Sequence, residues 1–201
     1  MTKDHRKIFA LVLVIASVGA SGCAHQVTFQ DAHYQIGAKQ QAANVVAVID
    51  QATLNNKVEI RSWMAGIANG WEVEPGDMLK QVVDIELPQM FAAYEFSTND
   101  KEPSGTGPGL ILRFTIPNYT FSDFHANVSV AVMAKARAGR LLFEKTYSAE
   151  GDTQGGKMFW GGAFAMKSAI RQSSLDAYKK IFVQLRTDLE VQMSQQVVTS
   201  R

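Results

Sequence analysis

Alternation of apolar and other side chains marks two stretches of the chain, Leu110-Ile-Leu-Arg-Phe-Thr-Ile116 and Ala126-Asn-Val-Ser-Val-Ala-Val-Met-Ala-Lys-Ala-Arg137. Successive side chains of a strand point to opposite faces of a sheet, so each stretch predicts a long strand with one buried face. Ala138-Gly139 is a tight-turn candidate that leads into Leu141 to Ser148, where Leu141, Phe143 and Tyr147 continue the alternation. The three strands together predict an antiparallel meander.

Two amphipathic helices are predicted on either side of this meander. The first covers about 76–91, and Pro88 should kink it or end its regular hydrogen bonding near Leu87. The second runs from Phe164 to Met193 and is the longer one. Its apolar stripe comprises Met166, Ala169, Ile170, Ala177, Ile181, Leu185, Leu189 and Met193. Its basic residues fall off that stripe: Lys167, Arg171, Lys179, Lys180 and Arg186.

These elements predict an α+β fold, a two-layer sandwich in which a mainly antiparallel sheet carries helices packed on one face. An earlier β-branched run, Val45 to Asp50, predicts a further strand, and Val58 to Arg61 is either a second strand or an irregular continuation of the chain. The second face of the sheet is either solvated or a surface for a partner or substrate. Its expected side chains are Arg113, Thr115, Asn127, Ser129, Lys135 and Glu144.

The first 22 residues have the layout of an export signal. Three basic residues among the first seven precede an apolar run from Ile8 to about Ala20, which ends in Ser21-Gly22. A membrane-spanning helix needs about 20 apolar residues, and this run is shorter and has no basic residues behind it. The segment therefore predicts export rather than a permanent span.

The segment Ala20-Ser21-Gly22-Cys23 resembles the lipobox of bacterial lipoproteins, although the family usually has leucine where this chain has Ala20. The resemblance implies cleavage before Cys23 and a thioether from its thiol to a diacylglycerol. It also implies two ester-linked acyl chains, with palmitate among the fatty acids, and usually an amide-linked third chain. Because Ala24 is not the aspartate that retains such proteins in the inner membrane, it also implies the periplasmic face of the outer membrane. The alternative is an ordinary signal peptide cut nearby, which would leave an unpaired thiol in an oxidising compartment.

The predicted organisation is a signal peptide at 1–22, a lipidated tether at 23–41 and a single α+β periplasmic domain at 42–201. Removal of the signal changes the formal charge from +1 to −1. A nearly neutral domain has no excess of basic side chains to neutralise phosphates, which disfavours nucleic-acid binding.

No motif predicts catalysis, a cofactor or a metal ion, and we expect the protein not to be an enzyme. Gly151 to Lys157 has the spacing of a phosphate loop, but Met158 stands where the motif needs Ser or Thr. The four histidines have no metal-ligand spacing, and Ser122 to His125 is expected to be a polar loop or β-bulge. Four scattered carboxylates are interpreted as solvated charges: Asp84, Glu86, Asp100 and Glu102.

Three apolar residues among glycines, Met158, Phe159 and Trp160, form a candidate contact patch. They either touch a partner, dip into a bilayer, or fold back over the edge of the core.

The order of the predicted elements is similar to that of small α/β envelope lipoproteins, including ABC-transport auxiliary lipoproteins and lipopolysaccharide-assembly lipoproteins. The resemblance implies an accessory or assembly role in an envelope or transport complex, with an envelope protein as partner. The alternative is a lipoprotein that binds or carries a lipidic or small ligand. A carrier should have a concave pocket between sheet and helices, lined by residues such as Phe114, Phe121 and Trp160, whereas an accessory should expose a flat apolar patch or a strand edge.

Overall fold

The computed structural model describes residues 25–29, 32–37, 40–61 and 70–199. Its helices are α1 (Gln51–Leu54), α2 (Pro75–Met90) and α3 (Gly155–Thr199). Its strands are β1 (His25–Val27), β2 (Gln41–Ile49), β3 (Val58–Arg61), β4 (Gly70–Val73), β5 (Phe91–Ser97), β6 (Gly109–Ser122), β7 (His125–Ala136) and β8 (Leu141–Glu150). The predicted signal peptide and Cys23 lie outside the described residues.

The larger sheet has five strands in the order β5-β2-β6-β7-β8. Strands β6, β7 and β8 form the predicted antiparallel meander, and Gly139 makes the turn into β8 with a φ of 82°. Strand β2 is parallel to both of its neighbours. A parallel pair needs a crossover connection, and α2 lies on the crossover from β2 to β5.

The smaller sheet has three strands in the order β1-β4-β3. Strand β1 runs parallel to β4, with His25 opposite Trp71, and β3 runs antiparallel to β4, with Arg61 opposite Gly70. The start of β1, the start of β4 and the end of β3 therefore lie at the same end of the small sheet. We call this end, defined by His25, Arg61 and Gly70, the β1 end.

Helices α2 and α3 pack on one face of the larger sheet, and the α+β prediction is confirmed. All the predicted stripe residues of α3 from Met166 to Leu189 are buried. Phe114 of β6 stacks on Phe182 of α3 with ring centroids 6.1 Å apart, so the two rings occupy the space next to Phe114, where a carrier pocket was expected to have one of its walls. The small sheet joins the same core through its buried residues Val27, Ile60, Trp71 and Val73.

The second face of the larger sheet is only partly solvated. Val46, Val48 and Ile111 are buried there as a small separate cluster. The loop between β5 and β6 turns back toward this face, since Pro103 is buried and the side-chain amide of Asn44 donates to the Ser104 carbonyl at 2.7 Å. Of the side chains predicted for this face, Glu144 is exposed and the others are half-buried.

Three local predictions differ from the structure. Helix α2 continues three residues past Leu87, because Pro88 lies in its last turn with its ring exposed. Helix α3 begins at Gly155, nine residues before the predicted start. Leu141 is 53% exposed, because a register shift after Ala134 pairs Leu141 with Lys135 on the outer face.

Candidate functional site

The N-terminal segment that was predicted to be a tether lies against the domain wherever it is described. Val27 and Phe29 are buried, and the Phe29 ring meets the Tyr178 ring edge-on at 6.3 Å. Arg171 of α3 donates from Nε to the Thr28 carbonyl. Residues 25–29 are thus part of the core and not a free linker, because β1 pairs with β4 and brings two apolar side chains inward.

A buried polar network holds the next part of this segment. The Tyr34 hydroxyl donates to Oε1 of Glu86 at 2.9 Å, and Nη2 of Arg186 donates to Oε2 of the same carboxylate at 2.9 Å. Glu86 is 1% exposed, so its interpretation as a solvated charge is wrong. Burial, together with the adjacent Glu86 carboxylate, raises the pKa of the Tyr34 hydroxyl well above its ordinary value. Lys179 covers the Tyr34 ring at 4.1 Å.

The segment runs in the same direction as α3. Its contacts on that helix move from Arg171 (with Thr28) to Tyr178 (with Phe29) and then to Lys179 (with Tyr34). Strand β4, which is parallel to β1, has the same direction relative to α3. The Tyr178 hydroxyl donates at 2.8 Å to the carbonyl of Pro75, which lies just after the end of β4. The β1 end of the domain therefore lies toward the N-terminal turns of α3.

The predicted contact patch belongs to these N-terminal turns. The backbone of Met158, Phe159 and Trp160 is helical, while their side chains lie outside the part of the chain that is described. The β6–β7 hairpin turn reaches the same helix end, since the backbone amide of Gln154 donates to the Phe124 carbonyl at 2.9 Å. Cys23 itself lies outside the described residues.

The phosphate-loop candidate takes another conformation. Residues from Gly155 onward are helical, and Gly151 packs closely on α3, because a Cβ there would lie 1.9 Å from the Ser173 carbonyl oxygen. The glycine at this position thus serves helix packing.

The stretch Ser122 to His125 contains the two-residue turn of the β6–β7 hairpin. Asp123 and Phe124 both have positive φ, 49° and 64°, the left-handed pair that joins two antiparallel strands. His125 begins β7 and lies 3.6 Å from Glu150. Among the described residues, no group of three His, Cys, Asp or Glu side chains could hold a metal ion.

The other carboxylates named from the sequence have local partners or are exposed. Asp84 accepts from Lys80 at 2.6 Å and from the Tyr94 hydroxyl, and Asp100 accepts from Arg113. Glu102 is exposed. The Lys80–Asp84 pair lies within α2, whereas the bonds from Tyr94 to Asp84 and from Arg113 to Asp100 link different segments of the chain.

A cavity of about 270 Å³ lies on the second face of the larger sheet, between β2, β5 and the loop after β5. Val46 and Pro103 give it apolar walls, and Asn44, Glu95 and Ser104 give it a polar rim. Sites for drug-sized ligands measure about 300–1,000 Å³, so this cavity suits only a small molecule.

An exposed strand edge is present as well. Strand β8 is the last strand of the larger sheet, is ten residues long and has no neighbour on its outer side among the described residues. Lys145 and the Tyr147 hydroxyl both donate to Asp188 of α3, at 2.6 and 2.7 Å. These bonds fasten the edge strand to the helix behind it.

Helix spacing gives a signal for the positions of Glu86 and Arg186, though not for their pairing. Glu86 follows Leu79 and Val82 at intervals of seven and four, on the apolar stripe of α2. Arg186 follows Tyr178 and Phe182 at intervals of eight and four, beside the stripe of α3. An acid on the stripe of one helix and a base at the border of another stripe are candidates for a buried pair, which forms only where the two helices bring them together.

No family model matches the sequence, and no curated protein matches it either. Several solved structures are similar. One is a Xanthomonas campestris protein assigned to family model DUF330, with 11% identity, TM-score 0.47, and coverage of 85% of this chain and 99% of that one. Another is a hypothetical protein of Chlamydia trachomatis, with 8% identity, TM-score 0.36, and coverage of 74% and 99%.

A third similar structure is a candidate lipoprotein of Caulobacter crescentus, with 13% identity, TM-score 0.29, and coverage of 56% of this chain and 81% of that one. Within the described part of the chain, no helix is both long and apolar enough to cross a membrane, α3 included.

Proposed function

We propose that the mature protein is a non-enzymatic envelope lipoprotein, anchored through Cys23 to the periplasmic face of the outer membrane, and that it acts as an accessory component of an envelope or transport complex. The observation that carries this proposal is the short apolar export signal that ends at the chain's one cysteine. Stable anchoring takes two membrane signals, and two or three acyl chains on one cysteine meet that requirement.

The accessory role is supported by the arrangement of the sheet and helices. Between the two layers, the buried rings of Phe114 and Phe182 stack on each other, which leaves little room for a lipid beside Phe114. The ten-residue edge of β8 is the kind of surface to which a partner strand can add by backbone hydrogen bonds.

A ligand-binding role is the second candidate, and the cavity beside Val46 and Pro103 favours it. Its volume of about 270 Å³ fits a small polar molecule with one apolar side and is too small for a diacyl lipid.

Mass spectrometry and pull-down of the protein from a Gram-negative host test the proposal. Wild-type mature chain should begin at Cys23 and carry the mass of its acyl groups, whereas Cys23→Ser, which differs by one atom, should carry none. A second variant, Ala24→Asp, should be found in the inner membrane, whereas the wild type should be found in the outer membrane. An unmodified mature chain would refute the anchoring.

The same preparations distinguish the two roles. A stoichiometric envelope protein that copurifies with the wild type and is lost in Cys23→Ser supports the accessory role. A small molecule that copurifies without a protein partner, and that is lost when Val46→Trp fills the cavity, supports the second candidate instead.

A further inference from the structure

The chain leaves almost no length between the proposed lipid anchor and the folded domain. Only Ala24 separates Cys23 from His25, the first residue of β1. Two residues of extended chain span at most about 7 Å. Because Val27 and Phe29 are buried, β1 cannot easily move away to act as a spacer. If Cys23 is acylated, as the proposed function states, the β1 end must lie at the membrane surface.

The first turns of α3 extend about as far from the Arg171–Thr28 contact as Cys23 can. Trp160 lies eleven residues before Arg171, which is about 17 Å along a helix axis. Cys23 lies five residues before Thr28, the partner of Arg171, which is at most about 17 Å of extended chain. From His25 onward the segment runs in the same direction as α3, so β1 and α3 both begin at the same end of the domain.

The residues at that level have the chemistry of a membrane interface. Met158, Phe159 and Trp160 are consecutive, uncharged and preceded by Lys157. Tryptophan is enriched at the headgroup level, and lysine favours the anionic surface. Arg61, the exposed cation of the β1 end, is paired with Glu59 at 2.9 Å.

We propose that residues 158–160 of α3 contact the lipid bilayer beside the acylated Cys23, so that the domain rests on the membrane by its β1 end. The proposal depends on the lipidation of Cys23 and adds a second, protein-borne contact with the same lipid surface.

Site-directed spin labelling tests the contact. The diacylglycerol thioether occupies the sulfur of Cys23, the chain's one cysteine, so a nitroxide will attach only to a newly introduced thiol. We would label Trp160→Cys and, as the control on the same helix, Val191→Cys, which is 48% exposed and about 46 Å further along the axis. Phe159→Cys is a second labelling position, used if the first variant fails to fold by circular dichroism.

The lipidated proteins would be reconstituted in vesicles of phosphatidylethanolamine and phosphatidylglycerol. Collision of the nitroxide with oxygen, which concentrates in lipid, is compared with collision with a water-soluble nickel chelate. We expect the oxygen-to-nickel ratio to be several-fold higher at 160 than at 191.

Equal ratios at the two positions, in protein whose mass shows the acyl chains, would overturn the contact and leave the lipidation standing. A mass without acyl chains would overturn both, because the contact rests on the anchor. The two failures are therefore read from separate measurements on one sample.

Discussion

At the scale of single residues, the Glu86 carboxylate is the most demanding group in the core. It is 1% exposed and satisfied by two donors, Tyr34 and Arg186. Desolvation of a charge costs several kcal/mol, which a buried pair recovers only while both partners remain. The Nε of Arg186 has no hydrogen-bond partner among the described residues, so the pair is not fully optimised.

Replacement Arg186→Met keeps an unbranched apolar stem and removes the guanidinium charge. We expect the free energy of unfolding to fall by about 3–5 kcal/mol, because an uncompensated carboxylate stays buried. Urea denaturation of the unlipidated domain measures the change. The matched control is the double variant Glu86→Leu/Arg186→Met, which removes both charges and should recover most of the loss. Equal losses in the single and double variants would contradict the buried-pair account.

At this scale the sequence predicted the apolar stripe of α3 well and the polar core poorly. Met166, Ile170 and Leu185 are buried, because their spacing places them on the one apolar face of the helix. Composition alone assigns Glu86 and Arg186 to solvent, and only their spacing relative to the stripes indicates otherwise. Whether two such positions meet depends on how α2 and α3 cross, which the sequence pattern does not encode.

At the scale of elements, Asp188 links the edge strand β8 to α3. Hydrogen bonds from Lys145 and then from the Tyr147 hydroxyl hold the pKa of Asp188 below its ordinary value. A carboxyl with a lowered folded-state pKa stabilises the fold above its unfolded pKa of about 3.9, and that contribution is lost as the pH falls through the folded value.

Replacement Asp188→Asn should therefore flatten the acid dependence of stability. We expect the wild type to lose more stability than the variant between about pH 5 and about pH 2, since only the wild type must protonate this group on unfolding. Urea midpoints measured across that range give the comparison. Glu144→Gln, exposed on the same strand, should follow the wild-type curve. A variant curve as steep as the wild type would count against the role of Asp188.

Helices and strands can be predicted from the sequence where a hydrophobic period continues over many residues. The alternation over 110–148 predicts β6, β7 and β8, and the 3.6-residue period predicts α2 and α3. The parallel pairing of β2 was not predicted, because periodicity says which faces are buried and nothing about strand direction. The start of α3 was missed because its glycines weaken the helical signal.

At the scale of the whole molecule, the N-terminal segment belongs to the folded domain. Phe29 is 7% exposed and contacts Tyr178, and the segment continues to the network around Glu86. Its composition, rich in Gln, His and Ala, resembles a linker, and only the alternation of Val27 and Phe29 indicates a strand. Candidate site residues are harder still, since Cys23 is identified by a short motif and by no packing pattern.

Truncation of Phe29 distinguishes a core segment from a free tether. We expect Phe29→Ala to lower the free energy of unfolding by about 3–5 kcal/mol, the usual cost of removing a buried ring. His33→Ala, exposed in the same segment, should change it by less than about 0.5 kcal/mol. Thermal unfolding of the unlipidated domain measures both. Equal free energies of unfolding for the two variants would show that the segment is a linker and not part of the core.

The central position of β2 has a consequence for folding yield. The chain is made from its N-terminus, so β2 is complete about 40 residues before β5 and about 60 before β6, the two strands that pair with it. Until then Val45 to Ile49 is an uncharged, β-branched window with both faces unprotected, the sequence type most prone to aggregate. We therefore expect the yield of native protein to depend on how well β2 is kept apart from other chains until its partner strands have been made.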